Sequence, residues 1–236
     1  MVIEIWSDVV CPFCYIGKRR LEKALDHLGL HKQVDIQWKG FQLDPNQKTN
    51  PTRSAIQDLA DKKGWTVDFA KNASAQVTAM AAAEGLMFDF EKAIPANTFN
   101  AHRLLQFAKT QNKGHLLKEI LLKGYFTDGT NIDDATTLTT YGVEAGLDAD
   151  AVADVVITAS YYAHEVQRDI IEAQQMGIQG VPFFVFNRKY AISGAQQATV
   201  FIQTLEKAFA EWQSSQSKID LETIEGPSCT PDQDCA

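Results

Sequence analysis

The chain has 236 residues, 45% of them hydrophobic and 22% charged, with a formal net charge of −8. This supports one large or two modest folded domains with a sizeable core and excludes global disorder. The negative excess argues against nonspecific phosphate-backbone binding, and no apolar run has the length of a membrane span, so neither nucleic acid nor membrane is an expected partner.

Residues Val2 to Trp6 alternate apolar and polar and are rich in β-formers, which predicts a strand. Glu4 interrupts this short stretch and no basic residue precedes it, a poor secretory signal, so a cytoplasmic location is expected. Cys11-Pro12-Phe13-Cys14 follows and opens a helix, where an early proline costs no hydrogen bond. Leu21, Ala24, Leu25 and Leu28 continue at helical spacing to a stop at Gly29. Val34, Ile36 and Trp38 then alternate with polar residues as a second strand. From Pro51 to Gly177 the pattern is mostly helical, with apolar stripes at Phe69/Ala73/Val77/Met80, at Leu104/Leu105/Ala108 and at Leu116/Leu117/Ile120/Leu121. Further helices are expected near Thr136–Glu144, Ala151–Ala159 and Tyr161–Met176. Strand character returns at Val181–Phe186, turns at Asn187-Arg188-Lys189 and resumes at Tyr190–Ser193, a hairpin before a closing helix over Gln197–Trp212.

The order β-α-β, helical block, β-β-α predicts an α/β thioredoxin fold interrupted by an all-helical domain. The expected division is 1–44 with 178–213 for the thioredoxin part, 45–177 for the insertion and 214–236 for a mobile, polar C-terminal tail.

The four cysteines fall in two pairs, Cys11/Cys14 and Cys229/Cys235. In a reducing compartment such pairs point to redox chemistry or metal rather than to a structural framework. At a helix start, unpaired N–H groups and the positive dipole end favour thiolate, so Cys11 is the expected nucleophile, with a lowered pKa, and Cys14 the resolving partner. The alternative is half of a zinc site completed by Cys229 and Cys235, a spacing looser than usual zinc knuckles. No metal is therefore assigned. The second pair reads either as an auxiliary redox couple exchanging with the first or as a bystander. No glycine-rich phosphate loop and no Ser-His-Asp set is suggested.

Three segments carry a family resemblance: Ser7-Asp8-x-x-Cys11-Pro12-Phe13-Cys14-Tyr15-x-Gly17, Asn97-Thr98-x-x-Ala101-His102-Arg103-Leu104, and Gly177-x-x-Gly180-Val181-Pro182-Phe183-Phe184. With the element order they make residues 1–212 resemble the DsbA family of thiol–disulfide oxidoreductases, in particular its FrnE-like branch. The resemblance implies disulfide exchange with protein thiols and disulfides, and a cis Val181–Pro182 bond beside the cysteines. Val181, Pro182 and Phe13 would then be substrate contacts. The redox disulfide itself would serve in place of a cofactor, with glutathione or a reductase as a further partner. Kappa-class glutathione transferases and 2-hydroxychromene-2-carboxylate isomerases share this architecture but place a serine where this chain has Cys11. A zinc-stabilised or chaperone-like binding protein is the non-enzymatic alternative.

Among single residues, Asp8 reads as a helix cap or a tuner of the thiol, and Asn97 as the N-cap of its helix. His102 and Arg103 are read as lining a groove that faces Cys11, or His102 as an interdomain histidine. Phe13 and Tyr15 flank the pair and read as contacts for an unfolded substrate, with core packing the alternative for Tyr15. His27, His31, His115 and His164 read as surface or packing residues, and Met80, Met87 and Met176 as helical core.

Overall fold

The structure is a computed structural model that describes residues 1–216. Cys229 and Cys235 lie outside the described residues. Strand β1 (Val2–Ser7) leads to helix α1 (Pro12–Leu28) and strand β2 (Asp35–Gly40). Seven α-helices and one π-helical turn follow: α2 (Ala55–Lys63), α3 (Val67–Ala83), α4 (Phe99–Thr110), α5 (Gly114–Lys123) with a π-helical turn (Gly124–Asp128), α6 (Ala135–Glu144), α7 (Ala149–Ile157) and α8 (Ala163–Gln175). The chain closes with β3 (Phe183–Phe186), β4 (Tyr190–Ser193) and α9 (Ala198–Gln216).

The strands form one sheet in the order β2-β1-β3-β4. β1 pairs parallel to β2, with Ile5 opposite Trp38, and antiparallel to β3, with Ile5 opposite Phe184. A parallel neighbour needs a crossover, and α1 supplies it. Alternate residues of the sheet bury Ile3, Ile5, Trp38, Phe184 and Phe186 against α1, α9 and the insertion in one continuous core. Each such side chain contributes about 1.5–3 kcal/mol on leaving water. The core extends without a break into the insertion through Leu104, Leu117, Leu121 and Phe126.

Two glycines fix how α1 sits. Gly29 ends it at φ 65°, a left-handed C-cap that donates back to Asp26 and Leu25. At Gly17 a Cβ would stand 3.0 Å from the Phe184 ring and 3.1 Å from Pro182, so a larger residue would push these side chains back by a few tenths of an ångström where α1 meets the start of β3.

The insertion is anchored over one end of the sheet by a buried carboxylate. Asp169 on α8 accepts from the Gly40 amide at 2.8 Å and from Gln106 of α4 at 2.5 Å, and its carbonyl accepts from the Trp6 indole at 3.0 Å. Docking there brings α3, α4 and α5 beside the N-terminus of α1.

The helical stripes differ from the sequence expectation in an instructive way. On α5 the buried face is Leu117, Lys118, Ile120, Leu121 and Leu122, while Leu116 is exposed. On α3 the buried residues are Ala70, Ser74 and Ala81, and the apolar stripe containing Phe69 and Met80 faces outward. Met80, Met87 and Met176 are all exposed rather than core. The helix expected to start at an Asn97 cap is capped one residue later at Thr98, with Asn97 Oδ1 accepting from the Phe99 amide at 2.9 Å.

Candidate active site

Cys11 is the N-cap residue of α1, extended at φ −92° and ψ 111°, and Pro12 fills the first helical position. Its carbonyl accepts from the Cys14 amide at 3.0 Å, the first turn that brings the two side chains together. Both cysteines are free thiols. The Val181–Pro182 bond is cis. The Cys11 thiol donates to the Val181 carbonyl at 3.4 Å, so the loop before β3 meets the helix start at this sulfur.

A groove of about 820 Å³ opens beside Cys11. Phe13, Val10 and Val181 form its sheet-side wall, and α2 and α3 form the other through Ile56, Leu59, Ala73, Val77 and Met80, with Trp65 between these two helices. The outward stripe of α3 therefore faces this groove rather than open solvent alone. Phe13 is 41% exposed at its mouth. Tyr125, on the π-helical turn, contributes a ring to the lining, and its hydroxyl is pushed well above the usual tyrosine range by burial and then by the Asp8 charge. Cys11 lines the groove, whereas Cys14 is 1% exposed and does not. Pro182 is buried behind Val181 against Gly17.

Asp8 does not cap α1 with its side chain. Its carboxylate is buried and accepts from the Val9 and Leu43 amides, both at 2.8 Å, and pairs with His102 Nε2 at 3.1 Å. Burial pushes the Asp8 carboxyl up, but the His102 hydrogen bond and charge, the Leu43 amide and the Lys118 ammonium carry it below its ordinary value. His102 is thus not part of the groove wall. It reaches the site through Asp8, which does line the groove. Its Nδ1 is buried with no partner among the described residues.

Arg103 points away from the cysteines altogether. Its guanidinium donates to the carbonyls of Val155, Val156, Thr158 and Tyr161 and to Asn100 Oδ1, closing the C-terminal end of α7. Successive helical residues diverge by about 100°, which separates it from its neighbour His102. Tyr15 is buried, stacked on Phe88 at 5.8 Å and bonded to Glu119 at 2.5 Å, so it packs rather than flanks the groove. His27, His31, His115 and His164 are at the surface.

Two further groups act on the sulfurs: Ser7 at the end of β1, quoted in the sequence motif without a role, and Lys118 of α5, which the sequence reading missed and which is 0% exposed. They alter which thiol ionises. Burial opposes ionisation of Cys14, but the Cys11 thiol, the Lys118 ammonium, the Ser7 hydroxyl and the Asp8 backbone outweigh it and hold Cys14 below the ordinary cysteine value. Cys11 is held well above its ordinary value by its interaction with the Cys14 sulfur and by burial. The two thiols titrate as a coupled pair in which Cys14 is the more readily ionised, not Cys11 as the helix position alone predicts.

This arrangement is that of a dithiol couple at a helix start facing a cis-proline loop, and the chain belongs to the DSBA-like thioredoxin domain family, whose model matches residues 2–206. It is 29% identical over 214 residues to the uncharacterized protein YwbO of Bacillus subtilis (strain 168), covering 89% of this chain and 96% of that protein. It is also similar to the crystal structure of a probable DsbA oxidoreductase, SCO1869, from Streptomyces coelicolor. The identity is 38%, the coverage 100% of this chain and 98% of that one, and the TM-score 0.84. The cytosolic disulfide reductase DsbM of Pseudomonas aeruginosa shares the fold at 14% identity and a TM-score of 0.58, covering 92% of this chain and 98% of that one.

Proposed function

We propose that the chain is a thiol–disulfide oxidoreductase of protein substrates, with Cys11 as the attacking and Cys14 as the resolving sulfur. The observation that carries this reading is placement: Cys11, itself only 3% exposed, lines the groove, and Cys14, 1% exposed, does not. Loss of the Cys11 proton to solvent through the groove leaves the charge on the sulfur that faces substrate. Cys11 then attacks a substrate disulfide in line. The new Cys11–substrate bond forms as the substrate S–S bond breaks, and the leaving sulfur takes the electron pair. Cys14, deprotonated in turn, attacks Cys11 and releases the second substrate sulfur. Run backwards, the same steps oxidise a substrate dithiol.

The wall chemistry favours an extended protein segment with apolar residues beside its cysteine. It supports a glutathione site less well, because the two carboxylates of glutathione need cations. Of the two lysines in the groove, Lys62 is already held by Asp44 at 2.8 Å and Asp58 at 3.1 Å. Placement in the FrnE-like branch and in the cytoplasm belongs to the same proposal. Two assays in parallel test it, insulin-disulfide reduction and glutathione conjugation. Cys11-dependent turnover in the first and none in the second is expected. The reverse pattern favours the transferase or isomerase reading.

A further inference from the structure

A buried charge that the exchange steps above do not use interacts electrostatically with the cysteines. Lys118 sits one turn into α5, fully buried, and its Nζ has no hydrogen-bond partner among the described residues. It stands over the Trp38 ring, 5.4 Å from the centroid. Burying an ammonium with no acceptor is costly unless an opposite charge lies close by. Asp8 is one such charge, but its oxygens are already committed to Val9, Leu43 and His102. The sulfurs are the other. Cys14 attracts Lys118 most strongly, then Asp8 and Cys11, while Lys18 of α1 repels it. Its neighbours on α5 are engaged elsewhere: Glu119 binds Tyr15, Lys18 and Arg19, and His115 pairs with Glu22 at 3.1 Å. From β2 the facing group is the neutral Trp38, and from α4 it is His102, which meets the cluster through Asp8.

We propose that Lys118 is the counter-cation of the active-site thiolate, contributed by the helical insertion, and that it makes the Cys11–Cys14 couple more oxidising than the start of α1 alone would. The inference rests on the redox reading above and adds to it a positioning residue that acts through the sulfurs. When a substrate dithiol is oxidised, the Cys11–Cys14 bond breaks and a substrate S–S bond forms. The two electrons lost by the substrate sulfurs end on Cys11 and Cys14. One of these takes up a substrate proton as thiol, the other stays as thiolate, and the second proton passes to solvent. Only the thiolate product gains from a nearby ammonium, so Lys118 stabilises the reduced form and raises the potential. The converse follows by reciprocity: the thiolate must make Lys118 harder to deprotonate in the reduced protein than in the disulfide. Burial holds Lys118 below the ordinary lysine value, and the sulfur charges oppose that shift.

The test is Lys118→Met, which replaces a buried charge by an apolar side chain of similar length and is commonly tolerated in cores. Equilibration with a reference dithiol is expected to shift about tenfold toward the disulfide form, equivalent to about 30 mV. The thiolate absorbance should appear about one pH unit higher than in the wild type. A folded variant with an unchanged equilibrium and an unchanged thiolate onset overturns the proposal. A second measurement needs no variant. In wild-type protein carrying carbon-13 lysine, the Lys118 Cε signal should titrate at higher pH in the reduced than in the disulfide form, and equal titration in the two states overturns the proposal as well. If the wild-type cysteines form no reversible disulfide, the redox reading itself falls. If they cycle and Lys118 is silent, only this inference does.

Discussion

Replacing Asp8 by asparagine keeps the shape of the side chain and removes its charge. Oδ1 can still accept from the Val9 amide and from His102, but the new NH2 faces the Leu43 amide, which now donates to Oδ2 at 2.8 Å. One hydrogen bond to a charged group is lost and two buried donors confront each other, about 1–3 kcal/mol for each unsatisfied group. Lys118 also loses its nearby carboxylate. The expected destabilisation is therefore about 3 kcal/mol at neutral pH, toward the cost of breaking a buried ion pair. Urea unfolding followed by the fluorescence of the buried Trp6 and Trp38 measures it. The pH dependence follows from the direction of the Asp8 shift. Burial pushes its carboxyl up, but His102, Leu43 and Lys118 bring it below its ordinary value in the folded protein. Its contribution is then fully present above the unfolded value of about 3.9 and is lost as pH falls through the lower folded value. The gap between wild type and Asp8→Asn should be flat from pH 8 to about 5 and should close in acid. A gap under about 0.5 kcal/mol at pH 7, the size of an ordinary surface change, refutes the reasoning. So does a gap that persists unchanged into strong acid.

Arg103→Met should destabilise the fold by about 2–4 kcal/mol by orphaning the carbonyls at the end of α7, while the alkylation rate of Cys11 stays at the wild-type level. Thermal unfolding and iodoacetamide kinetics separate the two effects, and a changed thiol rate in a folded variant returns Arg103 to the site. Val77→Asp places a charge in the apolar wall and should raise KM for a protein disulfide about tenfold or more, with the reaction toward dithiothreitol unchanged. Equal loss toward both substrates refutes the groove as the protein-binding wall. For the pair outside the described residues, Cys229→Ser/Cys235→Ser should slow turnover of protein substrates, and Cys14→Ser should trap a Cys11–Cys229 or Cys11–Cys235 species. Unchanged turnover with no trapped species makes that pair a bystander.

What could be read from the chain alone was whatever local pattern encodes. The alternation in Val2–Trp6 and in Val34–Trp38, and the apolar spacing after Cys14, place the cysteines at a strand-to-helix junction, as observed. The turn at Asn187 and Arg188 is likewise visible in residue type, and both adopt positive φ. Periodicity says that a stripe is apolar but not what covers it. Hence Met80 of the α3 stripe read as core, although it faces the groove, and the α5 stripe was placed on Leu116 rather than on Lys118, which drew no reading at all. The signal that could have found Lys118 is its place four residues after Gly114 and three before Leu121, on the same buried face. Asp8 and His102 are 94 residues apart, and no local pattern joins them. Their pairing depends on how the insertion docks on the sheet, where Asp169 accepts from the Gly40 amide of β2.

The central claim is that Cys11 attacks and Cys14 resolves, although Cys14 is the thiol whose ionisation its surroundings favour. Incubating Cys14→Ser with a disulfide-bonded protein and mapping the adduct by mass spectrometry tests it directly. A stable mixed disulfide at Cys11, absent from Cys11→Ser, is the predicted result. No adduct at Cys11, or a Cys11→Ser protein that still forms one at Cys14 and turns over substrate, contradicts the claim.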